Sequence, residues 1–135
     1  MDGLTKILVV DDESAIRFLL SDVLLSRGFE VSTAKDGQES LEQLERNDFD
    51  LVITDINMPR LDGISMLKRM KKARRKEKII VMTAKPIDQQ LLAGDMPQVL
   101  TRLSKPFKMD NFLDVVISAV SDEKRMPQTT TGCLA

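Results

Sequence analysis

Apolar residues fall along this chain in two alternating rhythms. Short continuous runs at residues 6–10 (KILVV), 29–34 (FEVSTA), 51–54 (LVIT), 79–83 (IIVMT) and 99–103 (VLTRL) are β-branched or Leu-rich. They are too brief for helices and suit buried strands. Between them the apolar positions recur at helical spacing. Residues 14–26 carry Ile16, Leu19, Leu20, Val23 and Leu24 at that spacing, with Ser14 as the expected N-cap and Gly28 just past the end. A second helix is predicted over 38–46 on Leu41 and Leu44, and a third over 64–72 on Ile64, Met66, Leu67 and Met70. A weaker fourth spans 86–94, bounded by Pro86, Gly94 and Pro97. The fifth, over 110–121, follows Asp110 and uses Phe112, Val115, Val116, Ala119 and Val120.

Strands alternating with helices in this way require right-handed crossovers, and therefore a parallel sheet covered on both faces. The expected fold class is a doubly wound α/β domain. In such sheets ligands bind beyond the carboxyl ends of the strands, where the strand order reverses. The first run leads directly into Asp11 and Asp12, and the third into Asp55. If those strands are neighbours, three carboxylates converge on one crevice. Two carboxylates about 4 Å apart repel by about 4 kcal/mol at an effective dielectric near 20, so the cluster calls for a cation. The fourth run ends in Thr83 and Ala84, a hydroxyl and a backbone N–H, and the fifth is followed by Ser104 and Lys105.

Composition narrows the chemistry. The chain has 135 residues, enough for one domain, and 42% of them are hydrophobic and 30% charged. It contains no His and one Cys, Cys133, which excludes internal disulfides, His/Cys zinc sites and any triad with a His base. Oxygen ligands alone select a hard cation, Mg²⁺ foremost, which leaves coordination positions for a phosphate. Acids, a hydroxyl and an amine at successive strand ends thus form a site for Mg²⁺ and a phosphoryl group. No run approaches the roughly 18 apolar residues of a membrane span, so a cytoplasmic location without membrane contact is expected.

Net charge is −1, which gives no overall field for nucleic acid, and no direct nucleic-acid contact is expected. Residues 68–78 hold eight Lys/Arg in eleven positions, without interleaved aromatics. They read as a solvated helix end that complements the dipole, with contact to an acidic partner as the alternative. Residues 122–135 show no periodicity and are expected to be a disordered tail after a domain covering 1–121.

The stretches VVDDES, VITDINMPRLDG, VMTA and SKPF occur in this order within residues 6–107. In them the chain resembles the receiver domain of two-component response regulators, in the single-domain form typified by chemotaxis regulators. The resemblance implies a flavodoxin-like (βα)5 fold with strand order 2-1-3-4-5. It implies a phosphorylatable signalling switch, in which Asp55 accepts a phosphoryl group from a phosphohistidine on a sensor histidine kinase or phosphotransfer protein. Mg²⁺ would be held by Asp12, Asp55 and the backbone carbonyl of Asn57, with Asp11 acting through a bound water. Thr83 would be the switch hydroxyl, Lys105 would pair with the acceptor and then with the phosphoryl group, and Lys105–Pro106 would be cis. Asn57 and Lys85 would flank the hydrolysing water. Such a domain is not an enzyme in the usual sense, although it catalyses its own phosphorylation and slow dephosphorylation. Its output would pass to an unknown protein target through the face built by the 86–94 helix, the fifth strand and the fifth helix.

Two positions depart from the family pattern. Arg102 stands three residues before Lys105, where an aromatic residue is usual, and Gln98-Val99 replaces a common Gly-Ala pair. Two other classes stay open: a degenerate receiver used only for docking, and a haloacid-dehalogenase-like phosphatase. The latter needs an acid at the position of Asn57 and an additional cap.

Overall fold

Each apolar run becomes a strand of one parallel sheet in the computed structural model, which describes residues 4–56, 63–84 and 99–124. The strands are β1 (Lys6–Val10), β2 (Glu30–Ala34), β3 (Leu51–Asp55), β4 (Lys78–Thr83) and β5 (Val99–Ser104). Their order is β2-β1-β3-β4-β5, as the resemblance implied. The chain crosses from β2 past β1 to β3, so the order reverses between β1 and β3. Val10 sits beside both Ala34 and Thr54, which brings the residues after β1 level with the end of β3.

The described helices are α1 (Ser14–Ser26), α2 (Gly37–Arg46), α3 (Gly63–Lys72) and α4 (Met109–Lys124). The helix expected over 86–94 lies outside the described residues. Side-chain alternation along the strands divides the core into two layers. Leu8, Val10, Val52, Ile79 and Val81 face Leu44 of α2 and Met66, Leu67 and Met70 of α3. Ile7, Val9, Leu51, Ile53, Ile80 and Met82 face Leu20 and Leu24 of α1 and Phe112 and Val116 of α4. The central strands β1, β3 and β4 are buried on both faces, which is why they read as unbroken apolar runs rather than alternating ones.

Helix ends differ from the sequence expectation, by one residue at the starts of α2 and α3 and more tellingly in α1 and α4. Glu13, not Ser14, is the N-cap of α1, and its side chain makes no cap bond. The Asp11 carboxylate accepts the Glu13 N–H at 2.9 Å just ahead of the helix and so organises this entry into α1. α4 begins at Met109, so Asp110 lies inside its first turn, where a carboxylate favours the positive end of the dipole. The same helix runs to Lys124, so residues 122–124 are helical rather than part of a tail; residues 125–135 lie outside the description. α2 has a shifted form of the capping box: the N-cap Asp36 accepts the Glu39 N–H at 2.8 Å, and Glu39 in return accepts the N–H of Lys35, one residue before the cap, at 2.8 Å.

The buried face of α1 is narrower than its spacing predicts. Leu20 and Leu24, four residues apart, take the sheet side, whereas Leu19 is 42% exposed and Phe18 is 74% exposed. One residue is a turn of about 100° on a helix, so Leu19 cannot share the narrow stripe that Leu20 and Leu24 bury. Among the described residues no helix is long and apolar enough to cross a membrane.

Candidate functional site

Three strands deliver the acidic groups and their counter-ion to one place. Asp11 follows β1, fully buried, and its N–H is tied to Ala34 O at 3.1 Å, so its backbone extends the sheet by one more residue. Asp12 beside it is exposed. Asp55 is the last residue of β3 and 6% exposed. Carboxylate oxygens of Asp11, Asp12 and Asp55 lie within 4.8 Å of one another. At that separation each pair repels by about 3 kcal/mol at an effective dielectric near 20, and less where water reaches Asp12.

Lys105, one residue past β5, supplies the compensation. Its N–H donates to Thr83 O at 2.7 Å, anchoring the segment after β5 to the end of β4. The Lys105–Pro106 peptide bond is cis. The ammonium donates to Asp11 Oδ2 at 2.7 Å and to Asp55 Oδ2 at 3.2 Å, with Glu13 Oε1 3.8 Å away. Burial works against this charge, but hydrogen bonds and Coulombic attraction from Asp11 and then Asp55 outweigh it, so the Lys105 pKa is raised. Lys105 is therefore an ammonium at any physiological pH. The three aspartates and this lysine together keep a net charge of −2, the charge that one divalent cation cancels. Carboxylate oxygens close together, without nitrogen or sulfur donors, fit Mg²⁺.

Thr83 ends β4, buried, paired in register with Ser104 of β5. Ala84 next to it is exposed. Asn57 and Lys85 lie outside the described residues, so the expected carbonyl ligand and the flanks of the water path carry no structural description. Arg102 lies on β5, the edge strand, and points its exposed side chain to no partner among the described residues.

Sequence reasoning assigned no role to two residues that shape the site, Gly63 and Arg17. Gly63 opens α3 with its N–H on Ile56 O at 2.9 Å. A Cβ built on it would stand 2.4 Å from Asp55 O and 2.8 Å from Ile56 Cα, so only glycine lets α3 back directly onto the Asp55 peptide. The "LDG" in the sequence carried that signal. Arg17, in the first turn of α1, donates from Nη1 to Asp11 O at 2.7 Å and pins the backbone that presents the acids. Glu13 adds a further carboxylate at the rim, 65% exposed.

A doubly wound domain that gathers acids at the switch point of its sheet, bridged by one part-buried ammonium, defines a class of cation- and phosphoryl-binding switch domains. Residues 7–117 match the family described as the response regulator receiver domain, and the chain belongs to that family. It is 36% identical over 111 residues to sporulation initiation phosphotransferase F of Bacillus subtilis, covering 82% of this chain and 90% of that protein. It is 35% identical over 114 residues to the chemotaxis protein CheY of the same organism, covering 82% and 93%. Among solved structures, a CheY-like receiver domain protein from Methanospirillum hungatei superposes with a TM-score of 0.83 at 25% identity, covering 90% of this chain and 98% of that one. The response regulator TrrA of Thermotoga maritima, in complex with Mg²⁺ and BeF, superposes with a TM-score of 0.73 at 33% identity, covering 86% and 99%. The domain is thus a phosphoacceptor switch of two-component signalling.

Proposed function

We propose that Asp55 is the phosphoacceptor and that Mg²⁺ binds beside it through Asp11, Asp12, Asp55 and the backbone carbonyl of Asn57. The observation that carries this reading is the Lys105 ammonium, which bridges Asp11 and Asp55 at 2.7 and 3.2 Å inside a crevice of otherwise unbalanced carboxylates. A purely structural lysine would need one acid, not three. The relative TrrA, solved with Mg²⁺ and BeF, supports the same assignment of cation and anion.

The chemistry of the chain's own groups follows. A carboxylate oxygen of Asp55 attacks the phosphorus of a phosphohistidine on a sensor histidine kinase or phosphotransfer protein. The O–P bond forms, the N–P bond breaks, and its electron pair returns to the imidazole. Lys105 holds the Asp55 carboxylate in one orientation before the attack. It lies close enough afterwards to follow the charge onto the phosphoryl oxygens. Mg²⁺, when bound, neutralises charge between the acids and the incoming phosphoryl group. Thr83, at the adjacent strand end, provides a hydroxyl for a phosphoryl oxygen, and its move toward that oxygen is the conformational signal. Loss of the phosphoryl group is slow hydrolysis with Asn57 and Lys85 at the flanks.

Arg102 stands in the place of the usual aromatic residue, so the signal leaving Thr83 is read through an exposed cation on the edge strand rather than through burial of a ring. The output is a contact with a downstream protein on the face that includes β5 and α4, in the cytoplasm.

The deciding experiment is intact mass after incubation with Mg²⁺ and acetyl phosphate. Wild type should gain one labile phosphate, and Asp55→Asn or omission of Mg²⁺ should abolish the gain. An adduct that persists in Asp55→Asn would remove Asp55 from the mechanism. Calorimetric Mg²⁺ binding without any adduct, even with a kinase present, would leave a docking module.

A further inference from the structure

We propose that the carboxyl-terminal end of α3 is a docking surface for an acidic protein segment that carries one apolar anchor side chain. Six cations, Lys68, Arg69, Lys71, Lys72, Arg74 and Lys76, are exposed there. None of them forms an ion pair or side-chain hydrogen bond among the described residues. The neighbouring Arg75 and Lys78 are engaged, the first by Glu77 and Asn47 O and the second by Ala119 O at 2.8 Å. In a chain of net charge −1, this is a local segregation of charge.

Fold stability does not account for the cluster. Lys68 lies three and four residues before Lys71 and Lys72, and Arg69 three before Lys72; like charges at these spacings destabilise a helix. Dipole compensation needs cations only in the last turn, and Arg74 and Lys76 lie beyond it.

A comparison of two helix ends sharpens the point. α1 closes with Gly28 N–H on Leu25 O and Phe29 N–H on Leu24 O, and Gly28 takes φ 89°. α3 closes with the same pair of bonds, Arg74 N–H on Lys71 O and Arg75 N–H on Met70 O, both 3.0 Å. Here the left-handed position, φ 58°, belongs to Arg74. Glycine is the residue for which that conformation is unstrained, so a cation stands here against both local sterics and local electrostatics.

The surroundings select the occupant. Beside the cations, between α2 and α3, runs a groove of ≈ 290 Å³ floored by Leu41, Leu44, Met70 and Ala73. Arg69 lines it from α3, next to Arg75 in its pair with Glu77, and Glu42 and Glu45 line it from α2. The floor accepts an apolar side chain, and Arg69 with the unpaired cations beside it meets carboxylates. The glutamate rim repels acids and so fixes one orientation of the partner. A nucleic acid duplex, anionic all round, would meet Glu42 and Glu45, and no exposed aromatic flanks the cations for stacking. A bilayer would need exposed apolar residues next to the cations. Among the described residues the exposed large apolar ones are Leu4, Phe18, Leu19, Leu25 and Ile117, none of them on α3.

This surface is independent of the phosphoacceptor assignment, since α3 ends at the amino ends of the strands, away from Asp55. The test titrates ¹⁵N-labelled full-length chain with a synthetic Glu-rich peptide containing one Leu, and in parallel with its Leu→Ser form, random duplex DNA and phosphatidylserine vesicles. Shifts are expected at residues 68–76 and at Leu41 and Leu44, weakening as salt rises. Lys68→Glu/Lys72→Glu/Lys76→Glu should bind the peptide roughly tenfold more weakly. Asp55→Asn should bind it unchanged, which separates this proposal from the phosphoacceptor reading. Arg74→Gly should resist urea better than wild type yet bind less well, a combination that misfolding does not produce. Equal binding of the Leu and Ser peptides, unchanged binding by the triple variant, or tighter binding of DNA or vesicles would each overturn the proposal.

Discussion

At the amino ends of the strands, the polar groups that pack against the sheet each have a partner, and the cations without one stand out in solvent at the end of α3. Glu77 accepts hydrogen bonds from Arg75 Nε and Nη2, Asp50 Oδ2 accepts the Lys6 N–H at 2.8 Å, and the Lys78 ammonium sits on Ala119 O at 2.8 Å. At the carboxyl ends three carboxylates share one ammonium. Both ends belong to the same strands, with the same apolar cores between them, so the difference does not come from the fold. Groups that only hold structure settle into neutral pairs. On the function proposed above, the surplus of negative charge beside Asp55 serves a cation and a phosphoryl group that come and go.

The largest effect should come from breaking the backbone support of the acidic end. Gly63→Ala forces a Cβ into Asp55 O and Ile56 Cα, both backbone atoms that cannot swing away. Overpacking of this kind costs about 3 kcal/mol, read as a lower urea midpoint, and the mass assay with acetyl phosphate should show slower phosphorylation. A variant with wild-type stability and wild-type rate would mean that α3 slides without consequence and that the close approach is incidental.

At the other end the expected loss is smaller and confined to stability. Glu77 is buried, 5% exposed, and Arg75 is 23% exposed. Glu77→Gln leaves the guanidinium without its charged partner and should cost about 1 kcal/mol in urea unfolding. Phosphate incorporation should stay at the wild-type level. A fall in incorporation would show that the two ends communicate, and the contrast between them would then fail.

The sheet and much of the site could be read in advance because strand ends are local events. An apolar run that stops at an acid, twice, locates Asp11, Asp12 and Asp55 without knowledge of any distance. The register that brings them within 4.8 Å is carried by topology: alternation predicts a parallel doubly wound sheet, and the strand order that makes β1 and β3 neighbours is what the family resemblance implies. What could not be read depends on contacts between distant segments. Lys105 lies nearer to Asp11 than to Asp55, and Gly63 backs onto a peptide eight positions earlier in the chain. Leu19 looked like core because periodicity reports which residues are apolar, not which of them another element covers. Arg74 at a left-handed position has no sequence signal at all, since Gly or Asn would mark it.

The smallest effect expected is also the one with the opposite sign. Asp12 is exposed and, among the described residues, makes no hydrogen bond or ion pair, yet its carboxylate lies with those of Asp11 and Asp55. Asp12→Asn removes repulsion without removing a bond, so in EDTA it should stabilise the fold by about 0.5 kcal/mol, a small value because water screens an exposed charge. In millimolar Mg²⁺ the order should reverse, because a ligand stabilises the native state by an amount that grows with its affinity, and the variant has lost one ligand oxygen. The rival account gives Asp12 the ordinary task of favouring the positive end of α1, worth under about 1 kcal/mol. On that account Asp12→Asn is destabilising in EDTA, and Mg²⁺ changes nothing. Urea midpoints of the two proteins in the two buffers therefore decide whether this end of the sheet is built for a visiting cation or merely decorated with acids.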